Sequence, residues 1–230
     1  MKIIKNYKAV IVLLALSVFF TSCLKKQDYS VVDISGLSII HAAPTTEKLD
    51  VFINNTKATP TDFAFGDKGD YLNAYSGNRK FDVTKKNVPL SLSTEMFTLA
   101  PTKGYSLFVI DKLENIKFLL LEDDLSKPAA TQAKVRFVNL SPDAGTLNLA
   151  IDGQATDLFT NKAFKEYSGF EAITPGDNLK FVVKNKTTGA VETSIADVKI
   201  EAGKIYTIYA KGLKATTDET KFGVAIFTHK

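Results

Sequence analysis

Residues 147–151, Leu-Asn-Leu-Ala-Ile, place apolar side chains at every second position, and 49–53, Leu-Asp-Val-Phe-Ile, do the same. That period of two predicts half-buried strands. Asn54-Asn55 and Asp152-Gly153 follow the two stretches and supply residues that tolerate the left-handed backbone of a tight turn. Laid over one another at an offset of 98, the segments pair Pro44 with Pro142, Leu49 with Leu147 and Ile53 with Ile151. Proline cannot donate to a ladder, so each preceding strand is expected to stop or bend there.

The correspondence continues with small gaps. Tyr71 is matched to Tyr167, Gly77–Val83 to Gly176–Val183, Lys103–Val109 to Gly203–Ala210, and Ile116–Leu121 to Thr220–Phe227. Each half therefore reads as about seven short strands separated by Gly, Asn, Asp and Pro. A helical period is absent from the chain after residue 22, apart from a turn around Asn161–Glu166. Two sheets must close on each other to bury their apolar faces, which predicts an all-β chain of two tandem immunoglobulin-like β-sandwich domains. The expected boundaries are 33–127 and 131–230, joined by the charged and then Pro/Ala-rich segment Glu122–Gln132. Tyr105 and Tyr206 each follow a Gly-containing turn at the start of a strand. They are read either as corner tyrosines bonded to nearby backbone or as core packing without that bond.

The N-terminus changes the picture. Lys2, Lys5 and Lys8 precede the apolar run Ala9–Phe20, too short for the ~20 residues of a spanning helix. Small residues then lead to Cys23, the only cysteine in the 230-residue chain. This is the layout of a secretory signal, and Phe-Phe-Thr-Ser-Cys resembles a bacterial lipoprotein box. The resemblance implies a signal peptide over 1–22, an acyl chain such as palmitate on Cys23, and a lipidated tether over 23–32. Leu24 after the cysteine resembles lipoproteins that move to the outer membrane, with the periplasmic or surface-exposed side left open. The membrane partner is then reached through lipid rather than a spanning segment.

Charge narrows the partners further. Removing the three lysines of residues 1–22 from the 29 basic residues leaves 26 against 25 acidic ones, a net charge of +1. With only Arg79 and Arg136 as arginines and no basic cluster, a nucleic-acid partner is not expected.

The segments His41–Asn54, Asn139–Gly153 and Glu201–Gly212 resemble a family of bacterial domains of unknown function, numbered 4397. The second half matches best, through Ser141-Pro142-Asp143, Asp152-Gly153 and Ala202–Thr207, with Asn139 where the family has histidine. The first keeps His41 and Pro44. The resemblance implies tandem copies of a β-sandwich in an exported lipoprotein and brings no activity.

Chemistry is sparse. His41 and His229 are the only histidines, and His41 is read as structural, bonding across the turn that follows it. No cofactor or metal site is expected, since zinc needs more His and Cys than these. Asp67, Asp70, Glu122, Asp123 and Asp124 are read as solvated turn charges. The expected role is non-catalytic: a binding, adhesion or structural module of the envelope. A glycan-binding lipoprotein is the alternative, with a carboxylate-based hydrolase a distant third. Tyr71, Tyr75, Tyr167 and Tyr209 are the candidate ligand contacts, expected to be exposed and, on the glycan reading, clustered on one surface.

Overall fold

The computed structural model describes residues 33–229, so the signal, Cys23 and the tether lie outside the described residues. Among the described residues the fold is all-β, with four four-stranded sheets forming two sandwich-like units. In the first unit, β1 (Ile34–His41), β4 (Leu72–Tyr75), β7 (Gly104–Ile110) and β8 (Lys117–Asp123) make a sheet ordered β4-β1-β7-β8. It faces a second sheet ordered β3-β2-β5-β6, built from β2 (Leu49–Ile53), β3 (Thr56–Lys57), β5 (Gly77–Lys85) and β6 (Ser91–Leu99).

The second unit repeats the plan with every index raised by eight. Here β9 (Ala133–Asn139), β12 (Glu171–Ile173), β15 (Ile205–Lys211) and β16 (Gly223–His229) form β12-β9-β15-β16. The facing sheet, β11-β10-β13-β14, comes from β10 (Leu147–Ile151), β11 (Phe159–Lys162), β13 (Gly176–Asn185) and β14 (Val191–Ile200).

In both units the first and seventh strands run parallel, Leu37 beside Tyr105 and Val135 beside Tyr206. This long-range pairing gives a strand order different from the ABED and CFG sheets of an immunoglobulin constant domain. The only helix among the described residues is a single 3-10 turn, Leu113–Asn115. The turn expected around Asn161–Glu166 is instead the end of β11 followed by a tight turn, with Asn161 and Lys165 at positive φ.

Each unit buries its own interior. Leu37, Leu49, Phe63, Phe81 and Leu107 fill the first, and Val135, Phe137, Leu147, Phe181 and Ile208 the second. A third apolar cluster lies between the units, where Ile40, Phe108, Ile110 and Leu121 meet Val138, Leu140 and Tyr209. The β1-β7 and β9-β15 sheets are thus covered on both faces, which explains why Gly104–Ile110 is buried at every position. Strand β6, in an outer sheet, alternates instead.

The repeat extends to single bonds. The backbone N–H of Ala100 donates to the Tyr105 hydroxyl and that of Glu201 to the Tyr206 hydroxyl, both at 3.0 Å. Both tyrosines are therefore bonded corners. Asp67 caps the turn at Ala64 N–H and Glu166 caps the one at Ala163 N–H, each at 2.8 Å. These turns set Lys68 opposite Ile40 and Tyr167 opposite Val138. The residue matching Tyr71 is accordingly Phe170, correcting the sequence pairing with Tyr167.

Candidate functional site

The clearest concentration of ionisable chemistry lies where the units meet. The contacting faces are the same face of each unit, as in an isologous dimer. Phe108 and Tyr209, at corresponding places on β7 and β15, put their ring centroids 6.0 Å apart, and Phe227 packs 5.9 Å from Tyr209. Strand alternation carries every second side chain of β8, β9 and β16 into this layer. Asp123 ends β8, Arg136 sits mid-strand in β9, and His229 ends β16.

Arg136 is 1% exposed, and its Nη2 lies 2.5 Å from Asp123 Oδ1. Its Nε donates to Thr207 Oγ1 at 2.9 Å, its Nη1 to the Glu122 carbonyl at 3.2 Å, and Nη2 also to Ser106 Oγ at 3.0 Å. The Phe170 ring lies 4.7 Å from the guanidinium carbon. Tyr71 donates to Asp123 Oδ2 at 2.5 Å, and its oxygen is 2.7 Å from His229 Nδ1. His229 Nε2 is in turn 2.7 Å from Thr207 Oγ1.

One arrangement of protons satisfies these contacts. The Tyr71 proton goes to the carboxylate, so His229 Nδ1–H donates to the Tyr71 oxygen. Nε2 then accepts from the Thr207 hydroxyl, which itself accepts from Arg136. The imidazole is neutral in this scheme. Burial pulls it down to about 3, helped by the positive charges of Arg136 and Lys68. Burial pushes the Tyr71 hydroxyl far up, and Asp123 beside it acts in the same sense. Asp123 is pushed up by burial and pulled back by Arg136. Chemically this is a closed clasp of complementary donors and acceptors. Ser106 bonds to Asp123 and not to a histidine; the hydroxyl that does meet an imidazole, Thr207, is fully buried and its oxygen is held by Arg136 Nε.

A cleft of about 620 Å³ opens beside the clasp, lined in part by Lys103, Glu122, Leu125, Tyr167 and Phe170. Its charges are paired: Lys103 with Glu122 at 2.7 Å and, at the rim, Lys134 with Asp124 at 2.7 Å. A second cleft, of about 530 Å³, lies along β4 in the first unit and holds Tyr75 and Arg79.

The four candidate tyrosines do not share one surface. Tyr75 is 64% exposed and Tyr167 50% exposed, each on a different cleft. Tyr71 is half-buried in the clasp. Tyr209, expected to be exposed, is 3% exposed because β15 turns it into the layer between the units, where burial pushes its hydroxyl up to about 12.

Asp123 also departs from expectation. It was read with Glu122 and Asp124 as solvated, yet β8 extends to it and turns it inward, while its two neighbours are exposed. Asp67 and Asp70 are exposed, as expected for turn charges. His41 is buried against Phe63 and Phe65; no hydrogen bond of ordinary geometry reaches its ring nitrogens, while the Glu47 backbone across the following turn lies near enough to favour the protonated ring. Burial pulls its imidazole down to about 4. In the sister unit Asn139 does make such bonds, to the carbonyls of Gly145 and Lys162.

Sequence reasoning passed over Arg136 and His229. The available signal was an arginine set between Val135 and the apolar pair Phe137-Val138 in the middle of a strand. Among the described residues no group of three or more His, Cys, Asp and Glu could hold a metal ion.

Fold and site together define an all-β, two-unit protein held together by a buried ionic clasp. The chain belongs to the family described as Domain of unknown function (DUF4397), whose model matches residues 35–150. No curated protein matches it. Among solved structures, it is 12% identical to one described as "Alpha-glucan binding by a streptococcal virulence factor", covering 85% of this chain and 97% of that one, with a TM-score of 0.27. A family 26 carbohydrate-binding module of Eubacterium rectale in complex with maltoheptaose is 10% identical over 84% of this chain and 96% of that one, with a TM-score of 0.29. Such scores transfer neither ligand nor site to this chain.

Proposed function

We propose that this is a non-catalytic, lipid-anchored module of the bacterial cell envelope, made of two copies of one unit at 33–127 and 131–230. Acylated Cys23 tethers it to the outer membrane, and its outer surfaces contact an envelope protein or a glycan. The observation carrying this reading is the clasp. The most buried arginine and carboxylate, together with the Tyr71 hydroxyl and His229, are consumed in mutual bonds that fasten the units to each other. Ionisable groups so committed serve cohesion rather than turnover. Duplication is supported by the repeated strand order, the paired corner tyrosines and the paired turns.

Fractionation tests the anchor. The native chain should partition with membranes and yield an acylated fragment beginning at Cys23 by mass spectrometry. Cys23→Ala should release it into the soluble fraction, and membrane retention of that variant would refute the tether.

Glycan binding is the second reading, favoured by Tyr75 and Tyr167, exposed rings that each border a cleft. An aromatic face buries a sugar ring at little cost in side-chain entropy. Array screening of the protein against oligosaccharides checks it, and uniformly flat signals would leave protein contacts or scaffolding.

A further inference from the structure

The two units differ most informatively at the cleft along the first sheet's edge. In the first unit, β4 pairs with β1 so that Ala74 lies opposite Ser35 and Tyr75 opposite Ile34. In the second, Ile173 lies opposite Ala133, which puts Thr174 at the place of Tyr75. The same backbone is thus built with no aromatic there, and the fold does not require the ring. Yet Tyr75 is 64% exposed and held in position. The Arg79 guanidinium lies 5.9 Å from its ring centroid, Arg79 Nε donates to the Tyr75 carbonyl at 2.8 Å, and Nη2 donates to the Ser76 carbonyl.

The clefts also differ in charge. The first, about 530 Å³, has Lys57 and Arg79 in its wall and no carboxylate, above an apolar floor of Ile53, Leu72 and Ala74. Lys57 is neutralised by Asp50 at 2.6 Å, whereas Arg79 bonds only to carbonyls and keeps its full charge. Its sister, about 520 Å³, carries Asp157, neutralised by Lys184 at 2.8 Å, and Glu171, with no cation in its own lining.

From this contrast we propose that the first-unit cleft binds a saccharide chain bearing carboxylates, one pyranose ring lying on Tyr75 and an acidic group beside Arg79. The ring's C–H face matches the flat tyrosine, and a guanidinium suits a carboxylate better than any neutral donor. The proposal rests on the glycan reading above and adds its site and ligand class.

The test is isothermal titration of the full chain, held in a polyoxyethylene detergent free of sugar. The probes are tetrameric oligogalacturonate, oligomannuronate and a chondroitin fragment, with maltoheptaose as the neutral comparator. Binding of an acidic probe should weaken at least about tenfold in Tyr75→Thr, the equivalent of ~1.4 kcal/mol for the loss of an anchoring ring. Tyr75→Thr copies the sister unit and should fold normally. Arg79→Gln should abolish the preference over maltoheptaose and flatten the salt dependence, while Tyr167→Ala should change nothing. Unaltered binding in Tyr75→Thr, with loss in Tyr167→Ala, would overturn this site and leave the glycan reading standing. Equal affinity for maltoheptaose would overturn the acidic ligand class. Absence of binding by all four probes would overturn this site, the broader glycan reading being decided by the array screen.

Discussion

Asp123 and His229 hold the same position in the two units. Each is the strand residue opposite the one that precedes a corner tyrosine, Asp123 facing Gly104 and His229 facing Ile205. Across the junction, Asp123 Oδ2 and His229 Nδ1 stand 3.7 Å apart, with the Tyr71 hydroxyl bonded to both. Two carboxylates placed this close would repel, so an exact duplicate could not close the contact this way. His229 in place of a second carboxylate, with Arg136 where the first unit has Ser38, makes the two faces complementary.

Removal of Arg136 should therefore be costly. Arg136→Met leaves Asp123 buried without its counter-charge, with an expected loss of about 3–5 kcal/mol in urea unfolding. Pairing it with Asp123→Leu should recover much of that loss, and a double-mutant cycle measures the coupling. A loss below ~1 kcal/mol for the single variant would mean that the clasp does not hold the units together.

Acid should weaken the fold from near-neutral pH downward, above the range where exposed carboxylates titrate. Both imidazoles are held neutral, His41 at about 4 and His229 at about 3, against 6.5 when unfolded. A base with a lowered native value loses stability as pH falls, because only the unfolded chain takes up the proton. The window runs from about 6.5 downward. Between pH 7 and 5 each histidine is expected to cost roughly 2 kcal/mol. His41→Asn, which copies Asn139, and His229→Gln should each halve the slope of unfolding free energy against pH. An unchanged slope would show that the rings are solvated.

The corner tyrosines offer a matched pair. Tyr105→Phe and Tyr206→Phe each strand one backbone N–H, at Ala100 or Glu201. Each should cost about 1–2 kcal/mol in thermal or urea unfolding. Near-equal losses are expected, since the two bonds are equal in length.

Glycine positions should separate by space and not by φ alone. Gly153 at φ +80° faces open solvent, whereas a Cβ on Gly212 at φ +83° would lie 2.2 Å from the Lys221 carbonyl oxygen. Gly153→Ala should cost about 1 kcal/mol from backbone strain. Gly212→Ala must also displace backbone, and its unfolding midpoint should fall well below that of Gly153→Ala.

Much of this architecture was legible because strand alternation and the internal repeat are local signals. Leu147, Leu149 and Ile151 point one way and their neighbours the other, so the strand could be read without its partner. The parallel union of β1 with β7 could not, since nothing near Leu37 announces Tyr105. The clasp was hidden for a related reason. Asp123 sits between two exposed acids, Glu122 and Asp124, and only the length of β8 decides that it turns inward. Tyr209 was misplaced because a strand covered on both sides has no wet face, a fact that depends on the other half of the molecule. Tyr75 was chosen from sequence as one of four, and what sets it apart is the threonine that replaces it in the sister unit.

The face-to-face union of corresponding sheets also limits growth. Head-to-tail modules can be strung out indefinitely, each offering the next a fresh surface. Here each lobe spends its one cohesive sheet on its neighbour, so an added third lobe would find no second sheet face of that kind. Assembly by this contact ends at a pair.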